Sequence, residues 1–292
     1  MSATLISGKE IATKKKNEIA QEVENLKKAG ITPGLAVILV GNNPASRTYV
    51  TSKEKTCKEL GMHSVLIELP ETISEQELLQ KIDELNHDDK IHGILVQLPV
   101  PDHINETSII EAISPEKDVD GFHPINIGRM MTGQDAFLPC TPYGVMVMLK
   151  ETGIEIAGKH VVVVGRSNIV GKPQGQLFLN EHATVTYCHS KTVDIKSITN
   201  QADILVAAVG KPYFITEDFV KPGAVVIDVG INRNSEGKLC GDVDFAGVKE
   251  KAGYITPVPG GVGPMTITML MFNTLKSAKK IQQKQQSFNE VR

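Results

Sequence analysis

Four groups of residues have types and spacings that suit chemistry. Tyr49 and Lys53 stand four apart in "ASRTYVTSKEKTCKELG", so on a helix they share one face. By spacing alone such a pair is usually only packing, and its use as a reaction site needs further support. Gln97, in "VQLPVP", follows an apolar run at the C-terminal end of an expected strand, where open parallel sheets bind their ligands. In "KDVDGFHP" two acids, Asp118 and Asp120, precede a glycine. A carboxylate there can meet a ligand's N–H groups, or close its own turn or a salt-bridged loop. The fourth group is the loop in "VVVVGRSNIVGKP", between four valines and an expected helix.

A dinucleotide fingerprint reads G-x-G-x-x-G between strand and helix. Here the positions are Gly165, Ser167 and Val170, with the next glycine at Gly171. The loop is wider than the fingerprint, yet it still aims backbone N–H groups and a helix N-terminus at a phosphate; a plain strand-to-helix turn has the same outline. The following strand ends in "HSKT" (189–192), with no carboxylate to repel a 2′-phosphate, although Asp194 is near in sequence. Arg166 offers a guanidinium and Ser190 a hydroxyl for that phosphate, a chemistry that favours NADP over NAD. The segment "TPVPGGVGPMT" (256–266) has more glycine and proline than one turn requires. Its glycines would let backbone approach a ligand closely, and an interdomain linker would have a similar composition.

The elements that must position these residues alternate. Strands are expected at 34–41, 64–70 and 91–101, with helices at 43–61, 74–88 and 105–115 between and after them. Pro44 and Gly61 bracket the first helix; Ser74 and Glu77 form a capping box on the second, which carries an apolar stripe at Leu78, Ile82 and Leu85. After a helix at about 142–152 the alternation restarts. Strands are expected at 159–165, 183–189, 203–210 and 223–231, with helices at about 171–180 and 194–201. A last helix is expected to follow 256–266 and run to about 282, with a frayed polar tail. This βαβ order implies parallel sheets and an α/β class.

Composition narrows the function classes. The 292 residues suit two domains, with 41% hydrophobic and 22% charged residues. A net charge of −3 excludes nucleic-acid binding driven by overall charge. There is no signal-like start and no apolar run of about 18 residues, so no membrane association is expected. Cys57, Cys140, Cys188 and Cys240 are scattered, and the eight histidines form no H-x-x-x-H pair. Reduced thiols, no metal site and a cytoplasmic location are expected.

Taken together, "ASRTYVTSKEKTCKELG", "GILVQLP", "PEKDVDGFHPIN", "PCTPYG", "VVVVGRSNIVGKP", "CHSKT", "ADILVAAVGKP", "VVIDVGIN", "GDVDF" and "TPVPGGVGPMT" resemble the bifunctional methylenetetrahydrofolate dehydrogenase/methenyltetrahydrofolate cyclohydrolase family. The stretches occur in the family's order and cover nearly the whole chain. The loop G-R-S-x-x-V-G-x-P is that family's variant of the dinucleotide site. The resemblance implies NADP-dependent oxidation of 5,10-methylenetetrahydrofolate, then hydrolysis to 10-formyltetrahydrofolate in the same pocket. Carried over by motif, Lys53 is the catalytic lysine, Tyr49 stands beside it and Gln97 orients it, while Asp120 holds the pterin. Pro259, Gly260 and Gly261 are expected at the substrate, and Gly165, Arg166, Ser167, Ser190 and Ile231 at NADP. The implied fold is an N-terminal βαβ-type three-layer catalytic domain (1–139 and 268–292) plus a Rossmann-like NADP-binding domain (140–267), with a cleft between them and a homodimer as the assembly. An NADP-dependent dehydrogenase of another small substrate, or a non-catalytic NADP sensor, would share the second domain.

Overall fold

The computed structural model describes residues 2–290, with side chains described to residue 283. The chain forms two compact units, one of Met1–Thr13 with Thr141–Thr266, the other of Lys14–Cys140 with Ile267–Arg292. Residues 1–13, expected in the first domain, lie in the unit that holds 141–266. The reason is the opening strand β1 (Thr4–Leu5), which pairs in parallel with a late strand at Tyr254–Ile255. Helix α1 (Gly8–Lys28) follows; the sequence reading did not anticipate it.

The unit containing Lys53 is built on β2 (Gly34–Val40), α2 (Pro44–Glu59), β3 (His63–Leu69), α3 (Glu75–Asn86), β4 (Gly93–Val96), α4 (Glu106–Ala112) and α5 (Pro124–Met131). Its sheet is parallel, in the order β3-β2-β4. The all-apolar run "GLAVILV" takes the centre, where every residue is buried, as a strand covered on both faces requires. Asn43 caps α2 by accepting from Ala45 and Ser46 N–H groups, and Pro44 begins it. Ser74 and Glu77 make both halves of the capping box on α3, whose Leu78, Ile82 and Leu85 join the core beneath the sheet. Beyond β4, Asp118 forms a lone parallel bridge to Ile94. That bridge lays the 117–120 segment alongside the strand that ends at Gln97.

The other unit contains α6 (Cys140–Glu151, from Thr141), β5 (His160–Val164), α7 (Gly171–Asn180), β6 (Thr184–Cys188), α8 (Ile195–Thr199), β7 (Ile204–Ala207) and β8 (Val225–Asp228). A small antiparallel pair, β9 (Asn232–Arg233) and β10 (Leu239–Cys240), then α9 (Phe245–Lys249) and β11 (Tyr254–Ile255) complete it. The six-stranded parallel sheet runs β1-β11-β8-β7-β5-β6. Strand order reverses at β5, with β6 on one side and β7 on the other; this is where a doubly wound sheet opens a crevice at its strand C-termini. The strands from β5 to β8 are shorter than expected, each losing residues at both ends. The last helix, α10 (Val262–Glu290), begins inside the glycine-rich segment and passes residue 282; the final two residues of the expected frayed tail lie outside the described residues.

Candidate active site

Lys53 lies on the inner face of α2 and is only 7% exposed. Its Nζ donates to Gln97 Oε1 at 3.0 Å. Gln97 Nε2 donates to Leu98 O at 2.8 Å, which turns the amide so that its oxygen faces the lysine. Tyr49 sits one helical turn before Lys53 and is half-buried, and burial raises its phenol above the usual range. Lys53, Gln97 and Asp120 therefore gather at the C-terminal end of the β3-β2-β4 sheet. The arrangement follows from topology: α2 returns antiparallel to β2, and Gln97 is the first residue past β4.

Burial drives the Lys53 ammonium below the ordinary lysine range, while the Asp120 carboxylate and Cys140 oppose that fall. Burial likewise lifts Asp120, opposed by Lys53 and by a hydrogen bond from the Cys140 thiol. A buried amine poised in this way can exchange a proton, and its carboxylate neighbour can accept N–H donors from a heterocycle.

Two residues that sequence reasoning left outside the site hold it in shape. Asp118 is buried, and its Oδ1 accepts from the backbone N–H groups of Gly121 and Phe122. Its Oδ2 accepts from His123 N–H and Asn126 Nδ2. Burial pushes this carboxyl up to about 7, against the pull of those donors. The turn it closes presents Asp120, and Gly121 is obligatory there: its φ is +77°, and a Cβ would sit 2.6 Å from the Leu138 and Pro139 backbone. Asn273, from α10, donates to Val119 O at 2.8 Å and Leu138 O at 3.0 Å, pinning the same loop. An acid placed before a glycine signals the Asp118 turn in sequence. Nothing local marks Cys140 or Asn273.

The loop after β5 is tight despite its width. Gly165 has φ +141°, and a Cβ on it would lie 2.2 Å from Ala208 O at the end of β7. A Cβ on Gly171 would lie 2.4 Å from Gly165 O, so the loop folds back on itself before α7 starts. Ser167 Oγ accepts from the N–H groups of Val170 and Gly171, leaving its own hydrogen free to donate. Arg166 and Ser190 are exposed and make no side-chain hydrogen bond with the described residues. Gly165 N–H bonds Cys188 O, so the Arg166 loop and the "HSKT" turn leave adjacent strand ends. Ile231 is 45% exposed just past β8. A glycine cradle, a free guanidinium, free hydroxyls and no carboxylate at the end of β6 fit a dinucleotide carrying a 2′-phosphate.

Pro259, Gly260 and Gly261 fall in the unit of the dinucleotide loop, apart from the unit that holds Lys53, Gln97 and Asp120. Gly260 has φ +101° and its carbonyl accepts from Lys9 N–H. A Cβ on Gly261 would lie 2.4 Å from Pro257 O, so this glycine has an internal packing reason.

A parallel unit bearing a buried amine–amide–carboxylate cluster, combined with a doubly wound unit bearing a phosphate loop, defines a two-unit α/β nucleotide-dependent enzyme. Residues 6–120 match the model of the tetrahydrofolate dehydrogenase/cyclohydrolase catalytic domain, and residues 139–282 match that of the same family's NAD(P)-binding domain. The bifunctional protein FolD of Bacillus cereus (strain B4264) is 67% identical over 280 residues, 96% of this chain and 98% of that protein. The crystal structure of the bifunctional FolD methylenetetrahydrofolate dehydrogenase/cyclohydrolase from Campylobacter jejuni is 54% identical, with a TM-score of 0.94 over 96% of this chain and 99% of that one. The Trypanosoma brucei N5,N10-methylenetetrahydrofolate dehydrogenase-cyclohydrolase, solved with NADP and an inhibitor, is 40% identical, with a TM-score of 0.92 over 96% of this chain and 98% of that one. The chain belongs to the tetrahydrofolate dehydrogenase/cyclohydrolase family.

Proposed function

We propose that this protein oxidises 5,10-methylenetetrahydrofolate with NADP to the 5,10-methenyl compound and hydrolyses that product to 10-formyltetrahydrofolate. The observation that carries the reading is the Lys53–Gln97 contact of 3.0 Å, in a buried cluster with Asp120. Family membership supports it over the other-substrate and sensor readings, which give no reason for that cluster. The folate chemistry belongs to the unit of Lys14–Cys140 with Ile267–Arg292, and NADP binding to the unit of Thr141–Thr266.

In the first step the folate nitrogens release the hydride from the bridge carbon and share the positive charge that results. NADP, when bound, accepts that hydride. The protein contributes position rather than acid–base help. Asp120 accepts hydrogen bonds from the pterin amino and ring N–H groups. Gly165, Arg166, Ser167 and Ser190 would hold the phosphates of NADP, and Ile231 would line the same site.

In the second step water adds to the cationic methenyl carbon, forming a C–O bond and giving up a proton. One C–N bond then breaks as the new hydroxyl gives up its own proton and becomes the formyl carbonyl, and the departing nitrogen takes up a proton. Lys53 in its neutral form receives the first proton and returns one to the departing nitrogen, so one proton is released overall. The folate cation would lower the lysine's pKa further, in the direction burial already drives it. Gln97 fixes the lysine rotamer, and Tyr49 orders the water or stacks on the substrate.

The protein works in the cytoplasm as a homodimer. Its four cysteines are free, and no helix among the described residues is long and apolar enough to cross a membrane. Equilibrium sedimentation showing only monomer would remove the dimer. The test of function mixes protein, 5,10-methylenetetrahydrofolate and either NADP or NAD at neutral pH, and separates products without acid quenching. NADP-dependent 10-formyltetrahydrofolate, formed faster than in a protein-free control, is expected. Methenyl product accumulating at the uncatalysed hydrolysis rate would leave a dehydrogenase alone, and no turnover by folded protein would overturn the assignment.

A further inference from the structure

Apart from Ile231, the motifs "VVIDVGIN" and "GDVDF" are not used by the chemistry above, yet they meet in one buried network. Asp242 has no exposed surface. Its Oδ2 accepts from the backbone N–H groups of Val209 at 2.6 Å and Gly210 at 2.9 Å. Its Oδ1 accepts from Lys211 N–H at 2.9 Å and Asn232 Nδ2 at 2.8 Å. Both oxygens are thus filled by donors from the two loops that leave the C-terminal ends of β7 and β8. Asp228, the last residue of β8, holds Asp242 in turn. Its Oδ1 accepts from Gly230 and Asp242 N–H, and its Oδ2 from Val243 N–H, each at 2.9 Å. The glycines of both motifs are required by this packing: a Cβ on Gly241 would lie 1.8 Å from Asp228 Oδ2, and one on Gly230 would lie 2.3 Å from Asp242.

Neither carboxylate is in an ion pair among the described residues. Buried carboxylates held only by neutral donors are a costly way to close loops that apolar packing could close. Their placement gives a reason. The loop at 209–211 begins next to Ala208, whose carbonyl abuts Gly165 at the reversal of strand order. The loop at 230–232 carries the exposed Ile231. In a doubly wound sheet a dinucleotide lies across this crevice, with one half over each set of strands. Arg166 and Ser190 occupy the β5–β6 side, which takes the half bearing the 2′-phosphate. The other half, with its hydride-accepting ring, would lie over the ends of β7 and β8.

We propose that Asp242 is a positioning residue for the redox half of NADP, acting through the 209–211 and 230–232 loops. The proposal rests on the NADP-binding reading above. Its test is Asp242→Asn, which turns an amide N–H₂ toward donors that now meet an oxygen. The expected result is NADP affinity weakened roughly tenfold by calorimetry, with the KM for NADP rising in parallel. Adenosine 2′,5′-bisphosphate, which carries only the other half, should bind within about twofold of wild type, and methenyltetrahydrofolate hydrolysis measured without NADP should keep its rate. If Asp242→Asn does not fold, Asn232→Ala removes one of the four donors and should show the same pattern, weaker at roughly threefold. Unchanged NADP affinity in the folded variant would overturn the proposal. So would equal loss of NADP binding, bisphosphate binding and hydrolysis, which marks a general structural role. Wild-type protein that binds NADP but does not oxidise the folate would sink the proposed function, while the affinity ratios would still decide the role of Asp242.

Discussion

Replacing Lys53 by methionine separates the two reactions. The methionine keeps an unbranched stem of similar reach in a site where the lysine is 7% exposed, so the helix face stays filled. Gln97 Oε1 loses its donor at 3.0 Å and Asp120 loses its cation. A buried acceptor left unpaired costs about 1–3 kcal/mol, partly offset because no amine has to be desolvated. The protein should therefore melt somewhat lower yet remain folded at 25 °C. Hydrolysis needs proton transfer, and a positioned acid–base group is worth about 10²- to 10⁴-fold. At 1.36 kcal/mol per tenfold, that is a barrier increase of about 3–5 kcal/mol. Hydride loss moves no proton through Lys53, so dehydrogenation should fall by less than about tenfold. NADP affinity should not change, because Lys53 lies in the other compact unit. The assay follows methenyltetrahydrofolate hydrolysis against a protein-free control, NADPH formation, NADP binding by calorimetry and thermal unfolding. A folded Lys53→Met protein that hydrolyses at a third of the wild-type rate or better would refute the acid–base role. One that has lost NADP binding would refute the placement of Lys53 at the folate.

Arg166→Ala should weaken NADP by ~10- to 100-fold, the worth of a charge-assisted phosphate contact, and leave NAD nearly unaffected; unchanged discrimination between the two would remove the 2′-phosphate role. Asp120→Asn should move the acid limb of hydrolysis to lower pH, because the Asp120 carboxylate is what holds the Lys53 pKa up against burial. Neutral Lys53 is the active form and hydrolysis rises with pH through its pKa, so a limb that moved upward in a pH–rate profile would contradict the pairing. Gly165→Ala should abolish NADP binding while sparing methenyltetrahydrofolate hydrolysis, since its Cβ would lie 2.2 Å from Ala208 O at a φ of +141°; alanine protein that binds NADP normally would show that the loop can relax.

Much of the fold was legible because its signals are local. The run "GLAVILV" has no polar residue to expose, so it had to be a central parallel strand. Pro44, Ser74 with Glu77, and Gly61 mark helix ends by satisfying or forbidding particular backbone groups. The alternation of such elements implies two parallel sheets and places Gln97 and the Gly165 loop at strand C-termini. Helix α1 escaped because its lysine-rich polar face dilutes the apolar period, and β11 because two residues are too few for one. What the sequence alone offered was a loop and a strand end that favour a 2′-phosphate, which depend on residue types at short spacing, while the kind of chemistry came from the resemblance of its ordered motifs to the family. The Lys53–Gln97 contact across 44 positions was implied only by the family resemblance and follows from no local pattern, and tertiary structure alone decided that Asp118 and Asn273 brace the Asp120 loop. It alone joined Asp228 and Asp242 into one network. Those contacts depend on which strands lie side by side, and strand order is fixed by packing the whole sheet rather than by any one segment.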